Sequence, residues 1–425
     1  MIEGAKTVLL ALLVALSLVQ SYFLMYSTPG METQVGIEQD YVKMEPLGPE
    51  EKVENLLFPE QLILHMGEDR HTIFYPQDTF YDMVLTKLQS REFTGFQRDS
   101  IQSVDWDEVR REYRGVEVRF GRPIPFELVQ RVFKVDSDFL FSGDSVTRIW
   151  IFSRDDREEV RTFFFSADGV SVYESLRADL TVQDVQQYTG FGEYWTPYEY
   201  WDGYYVPMQE KSYPAVQATY SRLTPEQMQR NLFLDPTTTR TIQDRQDGTE
   251  IYTDGKRGLK VEQEGGWLTY TDPVAPTDSE NKLTDNIASA VQFVNQHGGW
   301  NGTHRLERTE ATAGTDVVWF QQYMNGLPIV SHDGFRFGYM QLSIQQGVVS
   351  SYERSLIMLD PEPAKTEQRK LQAGDPLKKR IREAADGGIV EAVYPAYRPE
   401  LGENSLTLTP VWAIRLTTGE VRTIA

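Results

Sequence analysis

The sequence predicts an α+β protein, in which a single N-terminal transmembrane helix precedes a multi-domain ectodomain of antiparallel sheets with short helices. Three observations carry this. Residues 7–26, "TVLLALLVALSLVQSYFLMY", hold no formal charge. Apolar strand-like runs are joined by Asp-Gly, Asn-Gly and Gly-Gly pairs, the turn residues of antiparallel hairpins. Between them stand short segments with helical spacing and helix-start residues, so helices and antiparallel strands mix.

Twenty helical residues span about 30 Å, the thickness of a bilayer's hydrocarbon core. The apolar run exceeds a secretory h-region, and no clean small-x-small site follows it. An uncleaved anchor is therefore expected rather than a cleaved signal. Lys6 precedes the run and Glu32, Glu38 and Asp40 follow it, which places the amino terminus in the cytoplasm and the bulk outside the cell membrane. Ser17, Gln20 and Ser21 lie at i, i+3 and i+4 and share one helix face. Small and polar residues on one face suit contact with a partner transmembrane helix. A position near the outer interface is the other reading of Gln20.

The expected organisation is a cytoplasmic tip and anchor (1–28), a Pro/Gly-rich acidic stalk (29–55), an α+β domain (56–180), a central domain (181–275) and a C-terminal domain (276–425). In the first domain a hairpin is expected around Gly67, a helix in "VDWDEVRREYRG" stopped by Gly115, another in "PIPFELVQRVF", and strands in "VTRIWIF", "VRTFFFS" and "VSVYES". Thr181 with Asp184, and Thr224 with Pro225 and Gln227, read as helix starts. "TEIYTDG", "RGLKVEQ" and "GGWLTY" read as a meander. Residues 271–281 read as a linker. Thr284 is expected to cap "DNIASAVQFVNQ", and "GDPLKKRIREAADGG" reads as a capped helix. Each of these last two precedes a run of strands, giving helix-plus-meander twice.

With a net charge of −21 the chain repels phosphates, so no nucleic-acid partner is expected. It contains no Cys, which excludes disulfides, thiol nucleophiles and a lipid-modified cysteine. No G-x-S-x-G, H-E-x-x-H or phosphate loop occurs. Ser279 and Lys282 fit S-x-x-K, but no K-T-G follows. Asp105 and Asp107, like Asp136 and Asp138, read as cap or turn residues. His297 reads as closing a helix. His65 and His71 face each other across the first hairpin. With Glu68 and Asp69 they could hold a metal, but a solvated hairpin is the expectation. No catalytic residue, cofactor or metal is assigned, and an enzyme is not expected.

The stretch 188–208, "YTGFGEYWTPYEYWDGYYVPM", is the densest aromatic run. Pro197 and Pro207 keep it from a sheet interior, and Asp202-Gly203 makes it a short edge hairpin. Tyr194, Trp195, Tyr198, Tyr200, Trp201, Tyr204 and Tyr205 are candidates for an inter-domain or partner-facing seam. The alternatives are an ordinary core and a stacking platform of an extracytoplasmic polysaccharide-binding or hydrolysing protein.

"NLFLDPTTTR", "YTDGKRGLKV" and "WLTYTDP" (231–273) resemble the central segment of the YycH (WalH) family. "YMNGLPIV" and "LTPVWAIRLTTGEVRTIA" are similar to the way YycH and its relative YycI end. The resemblance implies a membrane-anchored extracytoplasmic protein of Gram-positive bacteria. It implies no enzymatic activity, a YycI-like partner, and action on the sensor kinase WalK (YycG) of the WalK–WalR two-component system, which governs cell-wall metabolism. It also implies that the later domains are YycI-like and that signal passes partly through packed transmembrane helices.

Overall fold

The computed structural model describes residues 46–424, except 77, 137–140, 142, 155–156, 245–247, 263–265, 274–281, 313, 361 and 363, together with Lys6 and Ser17. The chain divides into Met1–Lys43 and Met44–Ala425. In the first unit Lys6 and Ser17 are helical and exposed. The rest of the expected anchor, including Gln20 and Ser21, lies outside the described residues, as does Ser279. Among the described residues no helix is long and apolar enough to cross a membrane.

The second unit opens with a ten-stranded sheet. Its elements in chain order are β1 (Gln61–Met66), β2 (His71–Phe74), α1 (Thr79–Ser90), β3 (Glu92–Ser100), α2 (Trp106–Glu112), β4 (Arg114–Pro125), α3 (Phe126–Val132) and β5 (Lys134–Val135). There follow β6 (Ser145–Arg154), β7 (Glu159–Ser166), β8 (Ser171–Ala178), α4 (Val182–Gly190), β9 (Pro197–Trp201) and β10 (Tyr204–Pro207). The strand order is β10-β9-β2-β1-β4-β6-β7-β8-β3-β5. All pairs are antiparallel but β3 with β5.

Period-two alternation sorts the two faces. Leu62, Leu64, Phe74, Val116 and Val118 join the core beneath α1 and α4. Ile63 and Ile73 point the other way. Helix α4 starts with a capping box in which Thr181 and Asp184 satisfy each other's backbone N–H groups. Helix α2 is capped by Asp105, whose carboxylate accepts from the N–H groups of Asp107 and Glu108. Gly115 does not stop α2, which already ends at Tyr113. Gly115 lies inside β4 opposite Phe152, where a Cβ would stand 2.6 Å from the Ile151 carbonyl.

The chain continues through β11 (Lys211–Ala218), β12 (Tyr220–Arg222), α5 (Pro225–Leu232), β13 (Arg240–Gln243), β14 (Glu250–Thr253), β15 (Gly258–Glu262) and β16 (Trp267–Thr271). Then come α6 (Leu283–Gln296), β17 (Thr303–Thr312), β18 (Thr315–Met324), β19 (Leu327–Pro328), β20 (Tyr339–Gln345), β21 (Val348–Ser355) and β22 (Ile357–Leu359). The last elements are β23 (Lys365–Leu371), α7 (Gly374–Ala385), β24 (Val390–Leu401), β25 (Leu406–Leu416) and β26 (Val421–Ile424). A nine-stranded sheet runs β13-β14-β15-β16-β21-β20-β18-β17, with β19 on β18. A five-stranded sheet runs β23-β11-β25-β24, with β26 on β25, and β12 pairs with β22.

The sheets therefore cut across the expected segments. β9 and β10 belong to the first sheet, β11 to the last, and β13–β16 share a sheet with β17–β21. Antiparallel pairing between distant segments leaves no trace in linker composition. The two helix-plus-strand units are present as α6 with β17–β21 and α7 with β24–β26.

Thr284 is not a cap. Helix α6 begins at Leu283 behind Lys282, without a side-chain cap. Tertiary bonds place its first turn: Asn286 donates to Asp316 (2.7 Å) and accepts from the Gly347 N–H (2.9 Å). Helix α7 likewise lacks a side-chain cap, since Ala373 holds the N-cap position. α5 follows its sequence signals, with Thr224 and Gln227 in a capping box and Pro225 in the first turn.

Residues 47–51 form a strap on the far end of α6. The N–H groups of Leu47 (2.6 Å) and Gly48 (3.1 Å) donate to the Gly298 carbonyl, and Trp300 donates to the Pro49 carbonyl (2.9 Å). Asn295 reads the Glu51 backbone from both sides. A Cβ on Gly48 would stand 1.7 Å from the Trp300 carbonyl oxygen, which no backbone can accommodate in place. Gly48→Ala is expected to release the strap while the sheets remain. Hydrogen exchange at Leu47, Gly48 and Trp300 should then rise at least tenfold, with the slowest strand amides unchanged. Unchanged protection at these three amides would refute the steric reading.

Candidate functional site at the meeting of the sheets

Hairpin β9–β10 turns through Asp202 (φ 52°) and Gly203 (φ 95°), the left-handed pair that a two-residue hairpin loop requires. Only β9 pairs onward, to β2, so β10 is the sheet edge. That edge is covered by α7 and β24 of the C-terminal part rather than left open.

Its aromatics divide by strand parity. Tyr198 and Tyr205 are buried with Ile63, Ile73 and, from β24 and β25, Ala392, Tyr394, Ala396 and Val411. Tyr204 is buried in the core of the five-stranded sheet, and Trp201 packs partly buried against it. The Arg382 guanidinium of α7 lies 4.7 Å from the Trp201 ring centre. Trp195 sits in a different core, edge-on to Phe74 (5.4 Å) and Phe80 (5.7 Å), with Lys211 over its ring. Tyr200 lies under Arg110 (3.8 Å). Tyr194 is 94% exposed. The two indoles thus belong to different cores and share no groove. That removes the observation on which a sugar-stacking platform would rest.

Beneath the hairpin the second face of the first sheet is polar and dry, which the sequence did not suggest. His65 and His71 are fully buried rather than solvated. Trp150 stacks on His65 (5.0 Å) and Tyr205 closes against His71 (5.3 Å). The two Nδ1 atoms are 3.1 Å apart, and His71 Nε2 is 3.1 Å from Asp69. With Nε2–H of His71 donating to Asp69, its Nδ1 accepts from His65 Nδ1–H. The nitrogens meet each other instead of converging on an ion. Burial holds both imidazoles below their ordinary pKa, His71 at about 4, with the neighbouring His65 charge also opposing its protonation. Glu117 stands 3.6 Å from His65 Nε2. Burial would raise its carboxyl, but Arg119 (3.0 Å) and Arg148 (2.9 Å) hold it well below the usual range.

A second buried cluster joins all three large sheets. Glu60, just before β1, accepts both Nη groups of Arg415 from β25 at 2.8 and 2.9 Å. Arg305 of β17 stands 3.8 Å from Glu60, is hydrogen-bonded to Glu307, and donates to the Phe120 carbonyl of β4 (3.0 Å). Arg122 of β4 donates to the Gly419 carbonyl beyond β25 (2.7 Å). Burial alone would raise the Glu60 carboxyl. The charge and hydrogen bonds of Arg415, followed by Arg305 and Arg122, bring it down to about 2. Sequence spacing could not reveal this cluster, because its members come from three distant strands and the segment before β1.

The described body is thus an α+β protein of three large sheets and one two-stranded sheet, whose buried ionic groups are matched by one another, with the aromatic hairpin between two of the large sheets. Its sequence matches the model of the YycH protein N-terminal domain over residues 3–189 and that of the YycH protein C-terminal domain over residues 202–422. The chain belongs to the YycH family. It superposes on the crystal structure of YycH from Bacillus subtilis with a TM-score of 0.70 at 16% identity, covering 90% of this chain and 99% of that one, which shows a common fold. An uncharacterised protein from Eubacterium rectale (TM-score 0.34, 11% identity, 52% of this chain and 86% of that one) and the Bacillus megaterium YpeB C-terminal domain (0.26, 11%, 48% and 99%) are too distant to inform the argument. No curated protein matches the sequence. Membership supports a regulatory role in the WalK system, and the family is one of membrane-associated extracytoplasmic regulators rather than known enzymes.

Proposed function

We propose that this protein is a non-enzymatic regulator that modulates the sensor kinase WalK (YycG) together with a YycI-like partner, and so sets the output of cell-wall metabolism genes. The observation that carries the reading is the match of both YycH domain models, which together span most of the chain. Residues 7–26 anchor the protein as a single-pass helix with its bulk outside, and Ser17, Gln20 and Ser21 form the face that meets the partner helices. The two helix-plus-strand units are taken as YycI-like, and the aromatic hairpin as the seam that holds them on the first sheet.

Regulation then works by population shift. The anchor packs better against one state of the kinase bundle, and a coupling of about 1–3 kcal/mol changes kinase output by roughly 5- to 150-fold. The strap at residues 47–51 supports the mechanism, because it fixes the first described residues of the second unit to the end of α6 and the loop before β17. Replacing residues 7–26 with an unrelated Leu-rich span is expected to abolish regulation of a WalK-dependent reporter while the ectodomain keeps its melting temperature. Reporter output unaltered by the swap would rule out helix packing as the route.

A further inference from the structure

We propose that the cleft between β17, β18, β20 and the β25–β26 turn binds a small carboxylate with an apolar body, the chemistry of an acylated amino acid or of a peptide's carboxyl end. The cleft measures about 350 Å3, within the range of small-ligand sites. Trp319, Tyr339, Pro328 and Val330 line it with apolar surface, and Tyr323 and Tyr394 lie deeper. Glutamates also line it, but each has a cationic partner. Glu60 is held by Arg415, Glu307 by Arg305, and Glu420 by Arg422 at 2.7 Å. Arg122 is occupied by the Gly419 carbonyl.

Arg308 is different. Its guanidinium carbon lies 4.1 Å from the Trp319 ring centre, and among the described residues it makes no ion pair. In a chain of net charge −21, the uncompensated charge of this cleft is therefore positive. A guanidinium beside an indole and without an ion-pair partner keeps N–H groups for a carboxylate, which it binds with two parallel hydrogen bonds. A ligand with a carboxylate and an apolar body meets both the apolar lining and the exposed guanidinium. Because the lining comes from three sheets, such a ligand favours their assembled arrangement and raises stability by mass action.

Calorimetric titration of the full chain with N-acetyl-leucine, with a tetrapeptide ending in leucine, and with the amide of each tests this. Binding by an acid form at least tenfold tighter than its amide is expected, and the arm that binds more tightly identifies a free small carboxylate or a peptide end as the source. Arg308→Gln should weaken binding at least tenfold without changing the melting temperature, since Arg308 is exposed. Arg308→Lys should restore part of it. Equal binding of acid and amide, an unaffected R308Q variant, or no binding of either acid at roughly 10 mM would each overturn the proposal.

Discussion

Taking the protein from pH 7 to pH 5 is expected to lower its unfolding free energy by about 6 kcal/mol. The cause is a set of imidazoles that the fold keeps neutral. Burial lowers His71 to about 4, His297 to about 4 and His304 to about 3, and lowers His65 as well. Partial compensation comes from Asp69 at His71, from the Phe293 carbonyl at His297 and from the Gly302 carbonyl at His304. Nearby cations work against protonation: Arg110 at His71, Arg257 at His297 and Arg354 at His304. The folded pKa lies below the unfolded value of 6.5 in each case, so below that pH the unfolded chain binds more protons. The stability is present above pH 6.5 and is lost as the pH falls towards 4. Each of the three groups with a folded value near 3 or 4 contributes about 2 kcal/mol of this loss at pH 5. Urea unfolding at the two pH values measures the change. His304→Gln should lose about 2 kcal/mol less than the wild type over the same interval, whatever its stability at pH 7. A difference under about 1 kcal/mol between pH 7 and pH 5 in the wild type would show that the imidazoles are not held neutral.

Replacing Glu60 with Gln is expected to cost about 3–5 kcal/mol, because Arg415 and Arg305 would remain buried without their shared carboxylate. Glu60 and Arg415 are 4% and 2% exposed in their side chains, so water cannot take over the lost role. The double variant Glu60→Leu with Arg415→Met should recover most of the loss, since it removes both desolvated charges and leaves Arg305 with Glu307 and the Phe120 carbonyl. Denaturant midpoints with an unchanged m-value would measure both. If the single variant unfolds within about 1 kcal/mol of the wild type, the junction is not a stabilising link between the sheets.

What the sequence disclosed and what it hid divide by distance along the chain. The turns at Gly67 and Asp202-Gly203, and the capping boxes at Thr181 and Thr224, depend on residues a few positions apart. All lie where the local chemistry places them. Thr284 and Gly115 carry equally good local signals and failed, because Asn286 and the approach of Ile151 set the geometry from elsewhere. The aromatic hairpin was legible as an edge, since prolines mark edges locally, but what covers that edge was not. The histidine pair was visible as a pair. Its burial was not, because Trp150 and Tyr205 come from other strands. The Glu60–Arg415–Arg305 cluster left no signal at all, each member reading alone as one more charged residue.

Glu60 and Arg415 stand 355 positions apart, which places the order of synthesis inside the fold. A chain made from its amino end exposes Glu60 long before β25 is made. Until then the ten-stranded sheet holds a carboxylate that must stay wet or take up a proton, so the edge at β1 cannot close dry. β25 thereby acts as a late seal on the first sheet. A chain cut short at residue 414 would keep nearly every described strand yet present an open, hydrated seam to proteases, whereas one carrying Arg415 would not.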